Sequence, residues 1–167
     1  MSVFGAAGRG PHAAPPSIRP PWVLAPMMDL TNAPFRALVR GFGGCGLFYS
    51  EMLNARRVPG EPDGAGVFAG FARERDLVLQ LLGDDPGVLD RAARRLASFA
   101  PYGFDLNCGC ARAKIMRWGW GAALVERPAR AAAALAALRR ATDRPVFVKW
   151  RLPLRPDAAK VEAFARM

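Results

Sequence analysis

Five short apolar runs, separated by helix-like stretches, constrain the fold of this chain more than any other feature of its sequence. The runs are WVLA from Trp22, LFYS from Leu47, VLQLLG from Val78, FDL from Phe104 and VFVKWR from Val146. The helix-like stretches span residues 33–41, 86–99, 122–140 and 156–166. Strands and helices that alternate in this way are typical of parallel βαβ units.

Small or polar residues stand at or just after the carboxyl end of each apolar run. They are Ala25-Pro26-Met27, Ser50-Glu51-Met52, Gln80, Asn107-Cys108-Gly109-Cys110, and Lys149 with Arg151. In a (β/α)8 barrel these strand ends converge on one face, where active sites are built. A doubly wound sheet would begin with a glycine-rich phosphate turn, whereas the first turn here, APMMDLTNAP, has no glycine. We therefore predict an α/β fold, a partial (β/α)8 TIM barrel with about five of its eight parallel strands.

The first 20 residues differ in composition from the rest of the chain. They are rich in Gly, Pro and Ala, show little periodicity and can bury too little surface to offset the entropy of ordering. We predict a disordered tail over residues 1–20, which holds the only histidine, His12, and a single barrel-type domain over residues 21–167. Prolines and glycines in residues 53–75 predict a long loop with one short helix around Gly66 to Phe71.

The chain carries 24 basic and 14 acidic residues, a formal net charge of +10. This excess favours a polyanionic partner such as nucleic acid, although the arginine, alanine and glycine bias also fits a GC-rich genome. Three cysteines, at positions 45, 108 and 110, are too few for a disulfide framework. No run reaches the roughly 18 to 20 apolar residues of a membrane span. We expect a cytoplasmic protein without membrane contact.

The segment DLNCGCARAK, residues 105–114, is the most informative for chemistry. Asp105 and Asn107 share one face of the predicted strand, and Gly109 permits a tight turn that brings Cys110 over the barrel mouth. An ordinary cysteine thiol is mostly protonated at neutral pH and can donate a proton. A buried structural cysteine is the alternative. A metal site is not expected, because zinc needs about four ligands and the predicted folded part contains no histidine.

Lys149 and Arg151 lie on one face of the last predicted strand, by its two-residue period. Two cations inside a barrel are costly unless an anion or polar ligand receives them, so their pattern favours a ligand site over a solvated face. Gln80 interrupts an apolar run and needs partners for both sides of its amide. Either a ligand or a polar neighbour in the core can supply them.

Taken in order, these segments resemble the tRNA-dihydrouridine synthases over roughly Leu24 to Leu152. APMMDLTNAPFR resembles the family's opening APM-x-x-x-T-x-x-x-F-R, SEM resembles TEM, and VLQLLGDDP resembles Q-hydrophobic-x-G-x-x-P. DLNCGCARAKIMRWGWGAALV resembles D-hydrophobic-N-x-G-C-P-x-x-K-hydrophobic-x-x-x-G-x-G-A-x-L-hydrophobic, and PVFVKWRL resembles P-V-x-V-K-x-R-hydrophobic. Each match is weak alone, but five in this order with compatible spacing are specific.

The resemblance implies a flavin-dependent enzyme with a catalytic barrel followed by a helical tRNA-binding domain. FMN would be reduced by NADPH or NADH, and a uridine of tRNA would receive hydride at C6 and a proton at C5. Cys110 would be the catalytic acid. The ring of FMN would contact Ala25, Pro26, Met27, Gln80 and Lys149, while Asn107 and Arg151 would hold the uracil and Lys114 would meet the tRNA.

The chain departs from the family pattern in two places. Ala111 stands where the family has a proline, which loosens the turn but leaves Cys110 in place. The chain also ends at Met167, after about five of the eight strands of a barrel. We therefore expect weak FMN retention by residues 1–167 alone, and a monomer when the barrel is complete. Three alternatives remain open: another FMN-dependent barrel such as a dihydroorotate dehydrogenase or an ene-reductase, an inactive truncated fragment, and a basic RNA-binding module.

Overall fold

The computed structural model describes residues 2–4, 18–152 and 157–167. The strands in this part are β1 Ser2–Phe4, β2 Val23–Leu24, β3 Leu47–Tyr49, β4 Leu53–Asn54, β5 Leu77–Leu82, β6 Gly103–Cys108 and β7 Val146–Trp150. The α-helices are α1 Ala33–Phe42, α2 Pro86–Ala97, α3 Ala113–Arg117, α4 Pro128–Ala141 and α5 Ala158–Arg166. Short 3₁₀ helices span Val58–Gly60, Gly66–Phe68 and Gly121–Leu124.

The strands form one sheet in the order β1-β7-β6-β5-β3-β2, with β4 paired to β5. The five predicted strands, β2, β3, β5, β6 and β7, are parallel to their neighbours and follow one another in chain order. Helices lie between them along the chain, as α1, α2 and α4 do. The prediction of a partial (β/α)8 barrel is confirmed.

Three elements differ from the sequence-based expectation. Residues 2–4, expected to belong to a disordered tail, form β1 and pair antiparallel with β7. Residues 18–20, also expected to be disordered, are described as well, and Ile18 packs against an apolar cluster of the sheet. The expectations for residues 1 and 5–17, including the place of His12, lie outside the described residues. The short strand β4 and the helix α3 were not expected. The expected short helix after residue 65 is present as the 3₁₀ turn Gly66–Phe68.

Side-chain caps and prolines set where the helices begin. Asn32 Oδ1 accepts a hydrogen bond from the Phe35 N–H at 3.1 Å at the start of α1. Asp85 Oδ1 accepts from the Val88 N–H at 2.9 Å at the start of α2. The helix expected from residue 122 begins instead at Pro128, because a proline ring clashes with the carbonyl four residues earlier and interrupts a continuous helix.

The strands β3, β5 and β6 are buried on both faces. Leu79 and Leu81 point toward the helices and belong to the main apolar core. Val78 and Phe147 point to the opposite, inner face and belong to a smaller apolar cluster. Because side chains alternate along a strand, Gln80 shares the inner face with Val78. The inner face therefore changes from apolar to polar toward the carboxyl ends of the strands.

Arg36 fixes the loop between β2 and α1. Its side chain is 2% exposed and donates from Nη1 to the carbonyl of Thr31 at 2.6 Å. It also forms a two-point ion pair with Glu74, at 2.9 Å from Nε and 2.6 Å from Nη2. The Thr31 hydroxyl in turn donates to the carbonyl of Met27 at 2.9 Å. Charge-assisted bonds of this kind are among the stronger ones in proteins, so the loop is firmly held.

Within the described residues, none of the helices is long and apolar enough to cross a membrane.

Candidate active site

A cleft of about 190 Å³ opens at the carboxyl ends of the parallel strands. We call it the central cleft, and it is lined by Pro26, Met28, Met52, Gln80, Asn107, Gly109, Cys110, Arg112, Lys149 and Arg151. The structure therefore brings together six of the nine predicted site residues: Pro26, Gln80, Asn107, Cys110, Lys149 and Arg151. Ala25, Met27 and Lys114 do not line it.

A chain of hydrogen bonds links three polar side chains at the floor of the central cleft. Asn107 Nδ2 donates to Gln80 Oε1 at 2.8 Å. Gln80 Nε2 donates to Asp105 Oδ2 at 2.6 Å. All three side chains are buried, so these bonds also fix which way each amide points. The Gln80 amide is thus satisfied by protein partners, and it keeps one Nε2 proton that these bonds do not use.

Asn107 also shapes the turn that carries Cys110. Its Oδ1 accepts from the Gly109 N–H at 3.1 Å and from the Cys110 N–H at 2.9 Å. Asparagine side chains commonly stabilise turns by such bonds to the following backbone. The thiol of Cys110 is therefore held at the edge of the central cleft by the same side chain that anchors Gln80.

Gly121 allows a second segment to pack against the back of this turn. Its φ is +61°, a left-handed conformation that glycine adopts at little cost. A Cβ at this position would overlap the carbonyl oxygen of Cys110. That carbonyl accepts from the Ala122 N–H at 2.9 Å. The second glycine of the G-x-G-A pattern therefore has a steric role in supporting the Cys110 turn.

Trp120 holds the same segment against the sheet. Its indole N–H donates to Asp84 Oδ1 at 2.6 Å. The other carboxylate oxygen of Asp84 pairs with Arg130 at 2.9 Å. The indole is buried with Leu82 and Ile115. The wall behind Cys110 is thus both apolar and tied by hydrogen bonds.

The two neighbouring cysteines occupy different environments. Cys108 is fully buried in the main core, and burial raises the pKa of its thiol. Cys110 is half-buried and lines the central cleft. Cys108 therefore suits packing, whereas Cys110 can reach a ligand.

Burial also dominates the electrostatics of Asp105. It raises the pKa of this carboxyl to about 7, against the lowering effects of the hydrogen bond from Gln80 and the charge of Lys149. An aspartate in the unfolded chain has a pKa of about 3.9. Between these two values the folded protein binds more protons than the unfolded chain. Stability contributed by this group therefore falls as the pH rises from about 4 to about 7.

Asp105→Asn should remove this pH dependence. The asparagine keeps an oxygen for Gln80 but carries no charge to desolvate, so the variant should gain stability over the wild type as the pH rises, by up to a few kcal/mol above pH ~7. Urea denaturation from pH 4 to 8 measures the difference. Asp90→Asn is the control, because Arg94 lowers the pKa of Asp90 and the opposite sign is expected. A constant loss of stability in Asp105→Asn at every pH would contradict the assignment.

Lys149 in β7 and Arg151 just after it lie at the carboxyl end of the strand, as predicted, but neither side chain is buried. Lys149 and Arg151 line the central cleft, and both are exposed. The expectation that they lie in a low-dielectric interior is therefore wrong for this chain. The reason is that β1 pairs with β7 only from Val146 to Val148, so within the described residues no strand flanks Lys149 and Arg151 on that side.

The sequence reasoning missed Arg112 and Met28. Arg112 Nη1 contacts Met28 Sδ at 2.7 Å across the central cleft. Arg112 follows Cys110 by two residues on the same loop, and this proximity could have indicated that it lies near the cleft. Met28 extends the APM motif by one residue. An arginine or a methionine does not by itself indicate a site. The contact between these two also joins loops that are distant in the sequence, so no local pattern predicts it.

Parallel strands with intervening helices and a cleft at the strand carboxyl ends define a protein of the (β/α)8-barrel class. Comparison with known proteins specifies the class further. Residues 23–167 match the model of the family described as dihydrouridine synthase (Dus), and the chain belongs to this family.

Several curated relatives carry the same description. The tRNA-dihydrouridine(20/20a) synthase of Xanthomonas axonopodis pv. citri is 37% identical over 137 residues, which cover 80% of this chain and 40% of that protein. The tRNA-dihydrouridine(20/20a) synthase of Synechocystis is 33% identical over 132 residues, covering 79% and 39%. The tRNA-dihydrouridine synthase B of Yersinia pestis is 32% identical over 136 residues, covering 81% and 42%. The chain thus spans about two fifths of the length of these relatives.

Proposed function

We propose that this chain supplies the catalytic face of an enzyme that reduces uridine to dihydrouridine in tRNA, with FMN as cofactor and NADPH or NADH as reductant. One observation carries the proposal: a half-buried thiol, Cys110, shares a cleft with the amides of Gln80 and Asn107 and with the cation of Lys149. Membership of the dihydrouridine synthase family supports a shared role for these groups in the reduction of uridine.

The residues of the central cleft fit one edge of a flavin ring. Small-molecule sites usually enclose roughly 300 to 1,000 Å³, so a volume of about 190 Å³ suits only part of the cofactor. Pro26 offers an apolar wall. Gln80 retains an amide proton for a ring carbonyl, and Lys149 offers a positive charge that favours electron-rich forms of the ring. When bound and reduced, FMN supplies the hydride that uracil takes up at C6.

Cys110 completes the reduction by donating its thiol proton to C5 of the same uracil. The C5=C6 double bond is thereby replaced by two new C–H bonds, one from hydride and one from the proton. Besides its bond to Gln80, Asn107 Nδ2 contacts only a weak acceptor, Met52 Sδ at 3.8 Å. A uracil carbonyl is a stronger acceptor and can take the place of this sulfur. Arg151, exposed at the mouth of the central cleft, can bind another. These contacts would orient C5 toward the thiol.

The substrate we propose is tRNA, because the curated relatives carry that description. A base stacked in folded RNA must be extruded to enter the central cleft, at a cost of about a few kcal/mol. Contacts to the phosphate backbone offset such costs. Lys114 is exposed outside the central cleft, and the chain has a net charge of +10, which suits contact with the RNA backbone.

The proposal is testable in a hybrid enzyme, in which this chain replaces the matching region of the Xanthomonas axonopodis synthase. The purified hybrid should retain FMN and should reduce uridine in tRNA. Lys149→Met should weaken FMN binding about tenfold to a hundredfold, because a hydrogen bond from a charged group contributes about 1.5–3 kcal/mol. Titration of the apoprotein with FMN, followed by flavin fluorescence, measures this change.

Lys160→Met is the matched control for the flavin titration. Lys160 lies on α5 and pairs with Glu126 at 2.8 Å, and it should leave FMN binding unchanged. A folded hybrid that binds no flavin, or equal effects of the two lysine substitutions, would contradict the proposed site.

A further inference from the structure

A second cavity of about 670 Å³ lies beside the central cleft. We call it the flanking pocket. Its floor includes Leu53, Phe68 and Ile115, and its rim includes Arg112, Lys114 and Trp118. Met28, Met52 and Arg112 line both cavities, so the two are direct neighbours.

The flanking pocket exists because the chain after β4 does not form a regular helix. It forms the two 3₁₀ helices Val58–Gly60 and Gly66–Phe68 instead. Pro59 and Pro62 each lack a backbone donor, which disfavours a continuous α-helix through this segment. The space between these short turns and α3 is left open.

The pocket offers a flat aromatic surface next to an apolar floor. Trp118 is 44% exposed, whereas Phe68 and Ile115 beneath the cavity are buried. Lys114 Nζ lies 5.3 Å from the centre of the Trp118 ring. The ring centres of Trp118 and the buried Trp120 are 4.9 Å apart, and the two ring planes are tilted by 59°. An exposed tryptophan supported in this way is suited to stacking on another planar ring.

The positive charges at the rim of the flanking pocket favour binding of an anion. Arg57 is neutralised by Glu61 at 2.9 Å. Among the described residues, no carboxylate pairs with Arg112 or Lys114. A ligand with an aromatic ring and a negative charge matches both features, and a nucleotide has both.

We propose that the flanking pocket binds the nucleotide of an RNA strand that neighbours the uridine in the central cleft, with its base on Trp118 and its phosphate toward Arg112 and Lys114. This inference rests on the proposed function. The adenosine phosphate portion of a nicotinamide cofactor also combines an aromatic base with a negative charge. An RNA strand is favoured because Met28 and Arg112 border both cavities, so adjacent nucleotides of one strand can occupy them together.

The test measures binding of a fluorescently labelled short oligouridylate to the full chain at low salt. Trp118→Ala should weaken binding about tenfold or more, because stacking on an aromatic side chain contributes about 1–3 kcal/mol per base. Trp118→Phe keeps a ring and should retain most of the affinity. Trp22→Ala is the control, since Trp22 is 72% exposed and precedes β2, at the opposite end of the strands. Binding of NADPH should be unchanged in all three variants.

Lys114→Gln gives a second readout that does not depend on the tryptophan. The substitution should reduce the slope of the logarithm of the binding constant against the logarithm of the salt concentration by about one, as expected for one lost phosphate contact. Equal effects of Trp118→Ala and Trp22→Ala, weakening of NADPH binding alone, or no oligouridylate binding by the wild-type chain would each overturn the inference. The assay needs neither flavin nor turnover, so its result is independent of whether the hybrid reduces uridine.

Discussion

Replacing Asn107 with alanine is expected to lower the free energy of unfolding by about 2–4 kcal/mol and to loosen the Cys110 turn. The substitution removes the partner of the buried Gln80 Oε1 and of the Gly109 and Cys110 N–H groups. A buried polar group left without a partner costs about 1–3 kcal/mol, and the two half-buried N–H groups cost less because water can reach them. Urea denaturation and amide hydrogen exchange measure the two effects.

Two variants control for this result. Asn54→Ala removes an asparagine that accepts one local hydrogen bond, from the Arg56 N–H at 3.0 Å, and should cost clearly less. Asn107→Asp keeps an oxygen for the turn, so the Gly109 and Cys110 amides should stay protected from exchange. If Asn107→Ala costs no more than Asn54→Ala and leaves exchange at Cys110 unchanged, Asn107 does not hold the turn.

Strand periodicity in the sequence predicted which side chains share the inner face of the sheet. A two-residue period along β5 and β6 puts Gln80, Asp105 and Asn107 on one face, and parallel strands bring their ends to one edge. The register places Asp105 opposite Gln80 and Asn107 opposite Lys149. These positions follow from the alternation of side chains along a strand, which can be read from a single sequence.

Contacts between distant loops were harder to predict. The position of Arg112 against Met28 depends on how two loops approach each other, and no periodicity encodes that distance. The exposure of Lys149 depends on how far the sheet closes, which its own strand does not determine. The flanking pocket arises from the irregular path of residues 58–68, where the sequence predicted only a loop with one short helix.

Replacing Cys110 with alanine is expected to have the largest effect on turnover. In the hybrid enzyme, dihydrouridine formation should fall about a hundredfold to ten-thousandfold, the usual contribution of a positioned general acid. Binding of FMN and its reduction by the nicotinamide cofactor should change little, because neither needs a proton donor over uracil C5. Cys108→Ala should affect turnover far less, since Cys108 is buried in the core and does not line the central cleft.

Turnover of tRNA by the flavin-loaded hybrid, with and without Cys110, tests the proposed function most directly. Mass spectrometry of digested tRNA counts dihydrouridine, and flavin absorbance follows the preceding reduction in the same samples. We predict dihydrouridine in tRNA treated with the parent hybrid, and reduced flavin with almost no dihydrouridine in the Cys110→Ala sample. A folded, flavin-loaded hybrid that leaves uridine unchanged, or equal product from the Cys110→Ala and Cys108→Ala variants, would contradict the account.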